Sequence, residues 1–83
     1  MEFILGGKRF NAEARYVEKK MNGADPETVR THAVKVAGRL YPVKQVLADI
    51  TGLSKADFNS HQAHQILRRL GLDVITVKQR GRG

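Results

Sequence analysis

Two stretches of the chain repeat one spacing of apolar residues. Val43, Val46, Leu47 and Ile50 fall at i, i+3, i+4 and i+7, and Ala63, Ile66, Leu67 and Leu70 repeat the set. That spacing lines one face of an α-helix. The punctuation agrees. Pro42 suits the first position of the earlier helix, where no N–H is needed, and Gly52 stops it. Lys44, Gln45, Ala48 and Asp49 lie opposite its apolar stripe. Asn59 with Gln62 three residues on gives the later helix a capping-box pattern, and Gly71 ends it. Residues 53–58, "LSKADF", read as a loop pinned by Leu53 and Phe58.

A shorter stripe, Ala14, Val17 and Met21, predicts a first helix over Ala12–Met21 with Asn11 as its N-cap and Gly23 at its end. Elsewhere the period falls to two. His32, Val34 and Val36 alternate with Ala33 and Lys35, Ala37-Gly38 can reverse the chain, and Arg39-Leu40-Tyr41 returns. Leu72–Val77 alternates as a last strand. "EFIL" reads as a strand, then a Gly-Gly turn and a second short edge segment. Asp25-Pro26-Glu27 looks like a helix start with no stripe behind it, so a single turn is expected. The order is βαββααβ. With no repeat and no linker, this is one small α+β domain over residues 1–78, with a flexible basic tail at 79–83. The second and third helices with the hairpin resemble a helix-turn-helix or winged-helix arrangement. The 53–58 connection is longer than the usual three or four residues, and the hairpin precedes the helix pair.

Composition narrows the classes. The chain has 83 residues and no cysteine, so core packing alone must hold it. No apolar run reaches the roughly 18 residues that span a bilayer. "MEFIL" has the wrong length and charge for a signal peptide, and a cytoplasmic location is expected. Lys and Arg number 15 against 8 Asp and Glu, a net charge of +7. An excess of that size in so short a chain points to a polyanionic partner.

The third helix is where charge meets pattern. His61, Gln65 and Arg68 lie opposite its apolar stripe, flanked by Gln62, His64 and Arg69, and no acid occurs between Asn59 and Leu70. Glu is a good helix former, so an acid-free exposed face is uncommon. Arg and Gln also suit guanine and adenine edges, and both reach phosphates. Lys44 sits near the open amides at the start of its helix, where phosphate binding is favourable. Lys35, Arg39 and the tail residues Lys78, Arg80 and Arg82 are further candidates for phosphate contacts. On the first helix Arg15, Tyr16, Lys19 and Lys20 share the polar side, an arrangement suited to single strands. The plainer alternatives are solvated faces, arginines that complement a helix dipole, and a tyrosine packed on a strand.

Catalytic signatures are missing. His61 and His64 are three apart and His32 lies in the hairpin, but no cysteine exists and no carboxylate stands near them in sequence. Ser54, Ser60 and Asp57 match no nucleophile motif, and there is no P-loop and no dinucleotide fingerprint. No enzyme activity, metal or cofactor is expected.

Residues 31–74 carry a resemblance. Tyr41, Pro42 and Lys44, then Phe58, Ala63, Leu67, Leu70, Gly71 and Val74, resemble a module of short bacterial proteins, and a looser form accompanies HNH-type restriction nuclease domains. Most matching positions belong to the scaffold, so the resemblance implies a fold and a setting near DNA. This chain has no HNH residues of its own. The expectation is a small basic protein that binds duplex DNA through the third helix. The alternatives are a protein-interaction or structural subunit using a strand edge, as a homodimer or with another protein, and RNA or single-strand binding through the first helix.

Overall fold

The computed structural model describes residues 1–77. Lys78, Arg80 and Arg82, and with them the 79–83 tail, lie outside the described residues. The chain is an α+β domain with five strands and three α-helices among those residues.

β1 (Glu2–Leu5) and β2 (Lys8–Asn11) form an antiparallel hairpin with Ile4 opposite Arg9 and Phe3 opposite Phe10. The short edge segment after Gly6-Gly7 is therefore a full strand, one more than the expected order. Phe3 and Leu5 point into the core, and Ile4 stands outward. The rings of Phe3 and Phe10 stack with centroids 5.6 Å apart. The turn lies close to the connection between the second and third helices: a Cβ at Gly6 would come 3.2 Å from Leu53 Cδ1.

α1 (Ala14–Met21) starts two residues later than the pattern predicts. Asn11 belongs to β2, and Glu13 is the N-cap. The hydrogen-bond ladder of the hairpin claims Asn11 before its side chain can cap a helix. Residues 22–31 then run without a helix, so no turn forms at Asp25-Pro26-Glu27.

β3 (His32–Val36) and β4 (Arg39–Pro42) form the predicted hairpin. Both turn residues have positive φ, 51° at Ala37 and 84° at Gly38, which a two-residue hairpin loop of the I′ type demands. β5 (Asp73–Thr76) pairs with the other side of β3, giving the antiparallel order β4-β3-β5. Val34 and Val36 face the helices and lie in the core. Lys35 stands on the opposite face, between Leu40 and Asp73.

α2 (Val43–Thr51) and α3 (Ser60–Arg69) bury the two predicted stripes: Val43, Val46, Leu47, Ala63, Ile66 and Leu67 are all in the core. Pro42 is the N-cap of α2, with extended ψ of 139°, and not its first helical residue. Its fixed φ serves β4 and the cap at once. The connection between the helices holds a 3-10 turn at Lys55–Asp57, closed by a reciprocal Ser54/Asp57 capping box. Phe58 is buried and Leu53 packs on the core, as the sequence predicts. The Asn59/Gln62 box opens α3, also as predicted: Gln62 N–H donates to Asn59 Oδ1 at 2.8 Å, and Asn59 N–H to Gln62 Oε1 at 3.1 Å.

Candidate nucleic-acid interface

The stripe of α3 faces the sheet and α2, which turns the other side of the helix to solvent. His61, Gln62, Gln65, Arg68 and Arg69 are all exposed there. Gln65 and His61, one turn apart, approach at 3.3 Å through Nε2 atoms. No carboxylate of α3 itself competes with the two arginines.

The hairpin β1–β2 flanks this face, which the sequence reading did not anticipate. One cleft is lined by Glu2, Phe3, Ile4, Arg9 and Arg69. A second is lined by Phe3, Ile4, Gln62, Gln65, Ile66 and Arg69. Arg69 is common to both, so Arg9 and Ile4 extend the helix face onto the hairpin. The signal was legible in principle. Alternation in "EFIL" sends Ile4 outward, and a two-residue turn sets Arg9 opposite it. Glu2 is the one acid along this surface among the lining residues.

The other sequence-predicted residues divide. Lys44 lines a separate cleft at the starts of α2 and α3, with Glu27, Arg30, His32, Lys55 and Ser60 among its walls. No described residue lines both this cleft and those beside the hairpin. The Lys44 ammonium lies 5.7 Å from the Phe58 ring centroid, a cation–π contact that holds it half-buried. Lys55 and Glu27 form an ion pair across the same cleft. Lys35 points away from α3, on the outer face of the sheet. Arg39 donates from Nη1 to the Ala24 carbonyl at 3.2 Å, so it braces the segment after α1. Neither Lys35 nor Arg39 adjoins the α3 face.

Gln45 departs most from the sequence reading. The pattern puts it on the polar side of α2, yet it is only 6% exposed. Its Nε2 donates to the Asp25 carbonyl at 2.9 Å, and its Oε1 accepts from Glu27 N–H at 2.9 Å. Tyr41 works beside it, its hydroxyl 3.3 Å from the carbonyls of both Met21 and Ala24. The irregular 22–31 segment folds over that side of α2, and these two side chains, with Arg39, hydrogen-bond to its backbone.

His64, on α3, meets His32 of β3. Their Nδ1 atoms are 3.2 Å apart and the rings are edge-on, with centroids at 5.1 Å. Burial lowers the His64 pKa below the usual histidine value, and the neighbouring His32, Arg68 and His61 push the same way. The pair joins α3 to the sheet. Among the described residues no group of three or more His, Cys, Asp or Glu is placed to hold a metal ion. Nor is any described helix long and apolar enough to cross a membrane.

No curated protein and no solved structure matches the chain. The model of the SCO5918-like family matches it over residues 1–82, nearly its whole length. The protein is therefore a member of the SCO5918-like family.

Proposed function

We propose that this protein binds duplex DNA without catalysing a reaction, presenting the outer face of α3 to the nucleic acid. The observation that carries the reading is that face itself. His61, Gln62, Gln65, Arg68 and Arg69 are exposed together on a helix with no acid, beside Arg9 of the hairpin. Arg68, Arg69 and Arg9 would supply phosphate contacts and most of the affinity; Gln62, Gln65 and an arginine could read base edges. The net charge of +7 supports the same class of partner. The likeness of residues 31–74 to modules beside HNH nucleases fits a DNA setting and is a weaker support, because it rests on scaffold residues. Lys44 would be a peripheral phosphate contact. Lys35 and Arg39 are not adjacent to this surface and contribute only to overall charge.

A second reading has its own observation. Arg15, Tyr16, Lys19 and Lys20 of α1 are all exposed, with Tyr16 at 45%. An uncovered ring among cations suits stacking on a single-stranded base. Fluorescence anisotropy with duplex DNA, single-stranded DNA and RNA at two salt concentrations separates the two. The expected result is preference for the duplex, with affinity falling steeply as salt rises. Preference for single strands, lost in Tyr16→Ala, would move the site to α1. No duplex binding even at low salt would overturn the proposal.

A further inference from the structure

We infer that the β1–β2 hairpin is a second arm of the duplex-binding surface, in which Ile4 contacts thymine methyl groups while Arg9 holds the adjoining phosphate. The inference rests on the DNA-binding reading above and adds a base preference to it.

The starting point is Ile4, the most exposed large apolar side chain among the described residues, at 68%. A single exposed aliphatic residue is ordinary on a protein surface. Its placement is what distinguishes this one. It lines two of the three clefts that contain Arg69, one with Arg9 and the other with Gln62 and Gln65; the third, lined by Gln65, Arg68 and Arg69, lies on α3 alone. An aliphatic group is thereby set between two arginines and two glutamines, on a surface otherwise suited to phosphates and base edges.

The hairpin fixes that placement. Phe3 and Leu5 are anchored in the core, so alternation leaves Ile4 no inward rotation. Phe10 stacks on Phe3 from the paired strand, which sets Arg9 directly across from Ile4. The turn lies close against Leu53, leaving little room for a side chain at Gly6. A β-branched side chain on a braced strand loses little further entropy on binding.

The chemistry then selects a ligand feature. In the major groove the apolar group offered by a base pair is the thymine 5-methyl, and apolar side chains contact it there. Arginine and glutamine flanks fit the neighbouring phosphates and the purine edges of the same groove. Glu2, on the same outward face of β1 as Ile4, lines the first cleft and opposes phosphate approach beside it. It thus favours a backbone path along Arg9 and Arg69.

The test compares one duplex in two chemical forms. Anisotropy would be measured with an alternating A·T duplex and with the same duplex carrying deoxyuridine for thymidine, which removes only the methyl groups. The intact protein is expected to bind the thymidine form about fourfold more tightly, the effect of burying one methyl-sized group. In Ile4→Ala the two forms should bind alike. Because the readout is a ratio within one preparation, a small loss of folded fraction cancels. Arg9→Ala should weaken both forms equally, keep the ratio, and reduce the salt slope by about one. Equal affinity of the intact protein for both forms would overturn the inference, as would an Ile4→Ala variant that keeps the preference. If either occurs while Arg68→Ala with Arg69→Ala still weakens duplex binding roughly tenfold or more, DNA binding through α3 stands and only the hairpin's role falls. Absence of binding to any duplex would remove both.

Discussion

Gln45 and Gln65 are the same residue on neighbouring helices, and the fold uses them in opposite ways. Gln45 is buried and spends both ends of its amide on the backbone of the 25–27 segment. Gln65 is exposed, and among the described residues its amide meets the His61 ring one turn away. The first is part of the scaffold. The second is free to exchange its partner for a ligand at little cost. A polar side chain on a helix becomes a recognition residue only when tertiary packing leaves it without a fixed partner. By that criterion the proposed recognition surface is α3 with the hairpin, and Gln45 at the start of α2 is structural support.

The comparison breaks most sharply at Gln45. In Gln45→Leu the Asp25 carbonyl and the Glu27 N–H lose their partners, and thermal or urea unfolding should show a loss of about 2–3 kcal/mol. Gln65→Leu should change stability by less than about 0.5 kcal/mol. Equal losses in the two variants would show that the distinction is wrong.

Arg68→Ala with Arg69→Ala tests the other side. The melting temperature should barely move, while duplex affinity falls roughly tenfold or more and the salt slope drops by about two. A variant that melts much earlier would reassign these arginines to the scaffold.

The His32–His64 contact gives a pH dependence. The folded-state pKa of His64 lies below the unfolded value of about 6.5, so the unfolded chain binds more protons in that window. Stability is complete above about 6.5 and declines as the pH falls below it, toward the lowered folded value. Melting at pH 7.5 and 5.5 should show the decline, and His64→Gln should lessen it. Melting that is independent of pH over this range would mean that the pair does not couple α3 to the sheet.

The smallest effect is expected at Lys35. It stands on the sheet face away from α3, opposite Asp73. Lys35→Ala should lower duplex affinity less than twofold, against the larger loss from the arginine pair. A loss as large as theirs would require DNA to reach both faces of the sheet.

Much of this was legible in the residues. The stripes of α2 and α3 fix which sides are buried, because an i, i+3, i+4, i+7 spacing admits one rotation of a helix against a core. The Asn59/Gln62 box and the Ala37-Gly38 reversal are local chemistry, settled within a few residues of sequence, and they stand where the pattern put them. The acid-free face of α3 follows from the stripe by exclusion.

The rest depended on distant contacts. Gln45 looks solvated because sequence periodicity cannot register a loop 18 residues earlier folding over it. Asn11 looks like a cap because its strand partner, Glu2, lies nine positions back across a turn. Arg9 and Ile4 join the candidate surface only because the hairpin docks beside Arg69. Lys35 and Arg39 leave it because one face of a sheet is turned from the helices. Helices and tight turns are decided by neighbours along the chain. Which polar groups are sealed, and which surfaces adjoin, is decided by packing between segments far apart in sequence.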